Sequence, residues 1–500
     1  MPGFPFLSLP TMASMRAGPV LFVPLMVLLL LAGCAATRPI NARIDKVDPT
    51  AGYRFAARSE FNTNDTDTIV IVAFSGGGTR AAAFSYGVLE ELRRTELTVN
   101  GRKTRMLDEV DVVSGVSGGS FTALAYALYG DKLFDIYEEA FLKRNVQGEL
   151  IGRFFNPSNW GALWSENWGR SEMAAQLYDE ILFHGATFAD LQKKPGPWAI
   201  ATATDISTGS RLAFVQTEFD VICSDVGSVP LSRAAAASSA VPFALSPVTI
   251  NNYGGTCGFR EPSWVRAVED PANRARPAGR ALQTLKEMRA FEDGANRPFI
   301  HLVDGGVSDN LGVRGILGAF EQIELSTSHR GALRLNSVRR VAVIVVNSLS
   351  DPQTDWDKHE RPPNDVQILI KATGVPIDRY SYEAVELLKD TAARWKNVRD
   401  LRAAGAFANA GNPSLARAAA NVPNIEIFAV DVSLNAIQDE AERRYLMDQP
   451  TSFVLPPEAV DRLRAAAGQA LRASPDFQRL VEDMSRAKPP ESVAPPIQVR

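Results

Sequence analysis

Two hydrophobic rhythms take turns along this chain. "TIVIVAF", residues 68–74, is a continuous β-branched run of the kind carried by a strand buried on both faces. After a glycine turn the period lengthens, and in "RAAAFSYGVLEELRR" Phe84, Val88, Leu89 and Leu92 recur at helical spacing on one face. The unit then repeats. "EVDVV", residues 109–113, predicts a second short strand, and "FTALAYALYG" predicts a helix closed by Gly130. "WAIATATDI", "RLAFVQTE", "FIHLVDGG", "RRVAVIVVNSL" and "NIEIFAVDVSL" predict further strands, with helices at "SEMAAQLYDEILF" and "RYSYEAVELLKDTAARWKNVRDLRAA". Such alternation specifies an α/β fold: one mainly parallel sheet sandwiched by helices in three layers.

Both ends of the chain depart from that rhythm. Arg16 is the only charge before "GPVLFVPLMVLLLLAGCAA", an apolar run that is short for a membrane helix and interrupted by Pro24, so residues 1–33 read as a secretory signal. "LAGC", residues 31–34, resembles the bacterial lipobox. That resemblance implies cleavage before Cys34, lipid on Cys34, and a lipid-anchored protein of the bacterial cell envelope. Residues 34–67, polar and containing "NTNDTDT", read as a tether. The main domain is expected over 68–349, and 350–486 as a C-terminal α/β extension of it. "AKPPESVAPPIQVR", residues 487–500, reads as a proline-rich tail.

Composition narrows the function. The chain has 500 residues, 45% hydrophobic and 22% charged, enough to bury a large core. Its net charge of -4, without a block of like charges, gives no electrostatic footprint for nucleic acid. Besides Cys34 there are two cysteines, Cys223 and Cys257. In an oxidising compartment they can pair, closing a loop that chain entropy values at about 3 to 4 kcal/mol; otherwise they are two buried thiols. With no histidine cluster beside them, no zinc site is indicated, and no other metal or cofactor is implied.

The chemistry sits in the glycine turns. "GVSGG", residues 115–119, satisfies G-x-S-x-G between a predicted strand and helix, where small neighbours permit the cramped turn that lifts a serine hydroxyl clear of the backbone. Ser117 alone fits the frame, since Ser114 lacks glycine two residues before it and Ser120 lacks glycine two residues after it. "SGGGTR", residues 75–80, lets successive N–H groups converge at a helix start and so favours an anion. Neither the Walker pattern nor the dinucleotide fingerprint is present, so an oxyanion hole is the better reading than a nucleotide cradle. Four histidines are available, but strand alternation in "FIHLVDGG" puts His301 on the face of Phe299 and Val303 and Asp304 on the other. Asp304 ends its strand at the edge where open α/β sheets place their sites.

These motifs, in this order, resemble the bacterial patatin-like phospholipases: "SGGGTR" the family's oxyanion element, "GVSGG" its nucleophile elbow, "DGG" its aspartate motif, with "ATDISTG" and "SRAAAASSAVPFALSPV" between them. The resemblance spans about residues 68–317. It implies a Ser-Asp dyad of Ser117 as nucleophile and Asp304 as base, an oxyanion hole from the N–H groups of Gly76, Gly77 and Gly78, and phospholipid, lysophospholipid or another acyl ester as substrate. Arg80 is a candidate for orienting the glycine loop or meeting a substrate phosphate, or else a surface charge at a helix start. Residues 248–298 are an insertion with several arginines and one helix, a candidate lid or a surface excursion. Trp160, Trp164 and Trp168 are either packing residues or interfacial ones. Two other functions stay open at this stage: a catalytically idle lipid- or partner-binding lipoprotein, and a thioesterase or protease on the same elbow.

Overall fold

The computed structural model describes residues 37–58, 67–99, 101–163, 165, 168–269, 279–348, 350–351, 354–407 and 413–486. The signal segment, Cys34, Trp164 and the proline-rich tail lie outside the described residues.

The strands are β1 (Thr68–Phe74), the hairpin β2 (Glu96–Val99) and β3 (Arg102–Arg105), β4 (Val110–Val116), β5 (Trp198–Asp205), β6 (Arg211–Ala213), β7 (Val248–Asn251), β8 (Phe299–Asp304), β9 (Arg340–Asn347) and β10 (Glu426–Ser433). The main sheet runs β10-β9-β1-β4-β5-β8-β7, with β6 paired to β5 beside that path. From β10 to β5 every pairing is parallel. The helices used below are α1 (Gly78–Arg94), α2 (Gly118–Tyr129), α3 (Val146–Phe155), α4 (Leu231–Ser238), α5 (Gly279–Glu292), α6 (Val313–Leu325), α7 (Asp365–Ala403) and α8 (Pro457–Ala473).

Side-chain alternation in the central strands builds two cores. Val70, Val72 and Phe74 of β1 join Phe84 and Leu89 of α1 and Leu463 of α8 on one face. Ala73, with Val343 and Val345 of β9, meets Leu317 of α6 and Trp395 of α7 on the other. Three layers result, and the C-terminal region supplies part of each: β10 extends the sheet, α7 covers one face and α8 packs on α1.

Three expectations change. β8 is antiparallel to β5, and only its last three residues overlap that strand, Leu302 with Asp205, Val303 with Thr204 and Asp304 with Ala203. The strand therefore enters from beyond the carboxyl edge of the parallel strands and stops there, which brings Asp304 to that edge by an unexpected route. Second, residues 37–58 are not a free tether. Tyr53 is fully buried with its hydroxyl donating to the Ala199 carbonyl (3.0 Å), Arg54 pairs with Asp220 (3.0 Å), and Asn41 donates to Ser224 Oγ (2.8 Å). An aromatic and two polar groups with buried partners hold this segment to the body. Third, the supposed insertion begins inside the sheet, because β7 pairs with β8 and buries Val248 and Ile250. Beyond β7, α5 packs on α6.

Candidate active site

Ser117 sits between the end of β4 and the start of α2 with φ 49° and ψ -122°, a conformation that a non-glycine residue adopts only under strain. The turn is tight because the next backbone is close: a Cβ on Gly118 would lie 2.0 Å from the Gly78 carbonyl oxygen. The Ser117 N–H donates to Ser238 Oγ (2.9 Å) at the end of α4, which fixes the turn from below.

The same α4 end fixes Asp304. Its N–H donates to the Ala240 carbonyl (2.9 Å), and the Gly305 N–H to the Ser238 carbonyl (3.0 Å). Ser117 Oγ donates to Asp304 Oδ2 at 2.8 Å, and the Gly306 N–H donates to Oδ1 at 2.7 Å. Burial raises the Asp304 pKa to about 6, against the lowering effect of the bonds from Gly306 and Ser117. A carboxylate of ordinary pKa is a poor acceptor for a serine proton; this one is closer to neutrality. His301 faces outward and pairs through Nδ1 with Thr249 Oγ1 (2.9 Å) on β7. Neither His184, His329 nor His359 bonds to the pair.

The glycine turn after β1 lies against the serine: a Cβ on Gly76 would be 3.2 Å from Ser117 Cβ. Its donors are not equivalent. The Gly76 N–H already donates to the Asn310 carbonyl (2.9 Å), so of the three donors expected for an oxyanion it is already taken, and Gly77 and Gly78 are the remaining candidates. These have φ 137° and 58° and open the 17-residue α1, whose first N–H groups have no acceptor within the helix. Asn310 is the residue that sequence reasoning missed. Besides holding Gly76, its side chain lies where a Cβ on Gly76 or Gly306 would go. The only signal was its place six residues after Asp304, within "DGGVSDN".

Arg80 is buried, which removes the surface-charge reading. Its Nε donates to the Ser348 carbonyl (2.8 Å), Nη1 to the Gln449 carbonyl (2.6 Å) and Nη2 to Thr451 Oγ1 (3.2 Å). All three nitrogens are engaged with protein, so the side chain ties the loops after β9 and before α8 to the glycine turn and is not turned toward a substrate phosphate. Desolvation lowers its pKa to about 10. The adjacent Ser452 carbonyl accepts the Thr79 N–H (2.8 Å).

Cys223 and Cys257 form a disulfide with Cα atoms 5.5 Å apart, joining the loop before α4 to the segment after β7. Ser117 and Asp304 are 4% and 7% exposed, and around them Phe243 and Val307 are open to solvent. Trp160 is exposed and Trp168 buried. A separate cavity of about 1100 Å³, lined by Thr68, Val110, Trp198 and Val338, opens at the amino edge and shares no residue with the serine site.

A serine on a strained strand-to-helix turn, bonded directly to a buried carboxylate beside a glycine-opened helix, is an arrangement on which an α/β protein can carry out acyl transfer. The family model described as patatin-like phospholipase matches residues 72–317. Residues 72–317 thus form a patatin-like phospholipase domain. No curated protein matches the chain. Among solved structures, human GIVD cytosolic phospholipase A2 is 11% identical over 86% of this chain and 62% of its own, with TM-score 0.41. The same human protein in complex with methyl gamma-linolenyl fluorophosphonate gives 12%, 87%, 63% and 0.39. VipD from Legionella pneumophila is 11% identical over 91% of this chain and 73% of its own, with TM-score 0.27. The chain thus spans less than two thirds of the length of the human protein.

Proposed function

We propose that this protein is a serine acyl hydrolase that cleaves carboxylic esters of phospholipids or lysophospholipids through a Ser117–Asp304 dyad, working at the bacterial envelope on a lipid anchor at Cys34. The observation that carries the reading is the 2.8 Å bond from Ser117 Oγ to Asp304 Oδ2, made without a histidine. Ser117 Oγ attacks the ester carbonyl as Asp304 accepts its proton, and the oxyanion forms against the Gly77 and Gly78 N–H groups. The tetrahedral intermediate expels the alcohol, which takes the proton from Asp304, and leaves an acyl group on Ser117. Water then attacks the acyl-enzyme with Asp304 again as base, and the serine returns with its proton. Family membership supports the lipid substrate class, and the "LAGC" pattern supports the anchor.

The test is labelling with an active-site serine probe, followed by a phospholipid and lysophospholipid panel with wild type and Ser117→Ala. Labelling and fatty-acid release are expected only with Ser117 present. Label that does not depend on Ser117, with no release from any lipid, sinks the hydrolase and favours a lipid-binding protein.

A further inference from the structure

The peptide between Gly76 and Gly77 sets where one candidate oxyanion donor points, and the two glycines do not themselves fix its plane. Glycine on both sides leaves the plane free to turn, and the φ of 137° at Gly77 is open only to a residue without a Cβ. A trans peptide holds its C=O and N–H in opposite directions, so whatever grips the Gly76 carbonyl also aims the Gly77 N–H. Reversing the plane would put a carbonyl oxygen where an oxyanion has to form.

That carbonyl is gripped from outside the turn. Ser348 Oγ, just beyond β9, donates to it at 3.2 Å. The bond uses the single proton of the Ser348 hydroxyl, so in the 3.0 Å contact between Ser75 Oγ and Ser348 Oγ the donor is Ser75. The Ser348 N–H donates back to Ser75 Oγ (3.0 Å), and Arg80 Nε donates to the Ser348 carbonyl (2.8 Å). Both serines are 1% exposed, so bulk solvent does not compete for these bonds. On the other side of the same residue, the Gly76 N–H is held by the Asn310 carbonyl (2.9 Å).

Sheet order supplies the direction. β1 lies between β9 and β4; Ser348 follows β9, and Ser117 follows β4. A Gly76 carbonyl aimed at the β9 end therefore sends the Gly77 N–H toward the β4 end, where the serine stands. Among the described residues that N–H has no protein acceptor.

We infer that Ser348 and Ser75 are positioning residues of the oxyanion site, a buried hydroxyl relay that fixes the Gly76–Gly77 peptide with its N–H toward Ser117. This rests on the acyl-hydrolase reading above and deepens it: a donor aimed before the ester arrives needs no reorganisation when charge develops on the carbonyl oxygen. Ser348 lies outside residues 72–317, the span of the family match. Arg80 then has a use without touching substrate, since it holds Ser348 in place.

The experiment compares the full chain as wild type, Ser348→Ala and Ser348→Thr. Crystal structures read the peptide. In Ser348→Ala the Gly76–Gly77 plane is expected to turn or to take two orientations, and in Ser348→Thr to keep the wild-type one. Kinetics on a monomeric short-chain ester read the consequence: Ser348→Ala should lower kcat by about tenfold to a hundredfold with KM held within about twofold, and Ser348→Thr should restore most of the loss. A wild-type peptide orientation in Ser348→Ala overturns the inference. So does an unchanged kcat, or a loss that Ser348→Thr fails to recover with its peptide in place. Should Ser348→Ala not fold, Ser75→Ala replaces it, removing the group that holds the Ser348 hydroxyl; kcat should then fall by about three- to tenfold at constant KM, and an unchanged kcat overturns the inference. Wild type that neither turns over ester nor takes a Ser117-dependent label sinks the hydrolase reading instead, and the peptide orientation in the variant crystals then decides the relay alone.

Discussion

Asp304 is held neutral more readily than an ordinary carboxylate, and this has two separable consequences. If Asp304 is the base proposed above it acts ionised, so kcat/KM should fall on the acid side with a midpoint near its pKa of about 6. For stability the sign is opposite. A carboxyl whose folded pKa is raised stabilises the fold fully below its unfolded value near 3.8, and that contribution is lost as pH rises through about 6. The loss by pH 7.5 is about 3 kcal/mol. Asp304→Asn should therefore abolish turnover, by about a thousandfold or more, yet unfold at higher denaturant than wild type at pH 7.5 and show no such gain at pH 4. Urea titrations at the two pH values read this; an equal effect at both would exclude Asp304 as the destabilised group. His301→Ala, on an outward-facing side chain, should leave turnover within about twofold. The serine and the aspartate were legible because a local frame and a strand phase specify them. The occupied Gly76 donor was not, because its acceptor, Asn310, is brought to it only by the folded sheet.

At the level of elements, the glycine turn is packed as well as poised. A Cβ on Gly78 would lie 2.3 Å from the Ser452 carbonyl oxygen, at a φ of 58°. Gly78→Ala is therefore expected to destabilise the protein by about 1–3 kcal/mol and to lower kcat more than it raises KM. Gly101→Ala, also at positive φ but with open space around it, separates the backbone strain from the clash. Thermal melts and steady-state kinetics on both variants check the pair. The buried parallel strands were readable because a strand covered on both faces has to be apolar throughout. β7 was hidden because four residues with only Val248 and Ile250 inward make too short a pattern. The direction of β8 was hidden because it depends on which neighbour the strand pairs with. The first 14 residues of α7 were not legible as helix because they contain Gly374 and Pro376, both unfavourable in a helix interior; the helix runs through them from the Asn364 cap, closed reciprocally by Gln367.

The whole molecule binds its parts together over long chain distances. The family match ends at residue 317, but Ser348 and the stretch 449–452 hold the glycine turn through Arg80 and Thr79, and α8 packs on α1. A chain ended at residue 349 should therefore be insoluble or inactive, as measured by yield and serine-probe labelling. Removing the Cys223–Cys257 disulfide should cost about 3 kcal/mol, seen as a lower urea midpoint in the double alanine variant and in reduced wild type alike. The class of fold was legible from the alternation of strand and helix. The tether was less so, because composition cannot report that Tyr53 is packed into the body.

The buried Asn41 has one more implication, concerning reach. If Cys34 carries lipid, the seven residue steps to Asn41 can extend no further than about 25 Å, in place of the long lead that a free stretch to residue 67 would give. Asn41 is bonded to Asn251 at the tip of β7, opposite Phe299, on the side from which β8 enters. With that anchor, so short a leash would restrict the protein to the membrane holding it: it would graze its own leaflet, and lipid in a facing membrane would stay out of range.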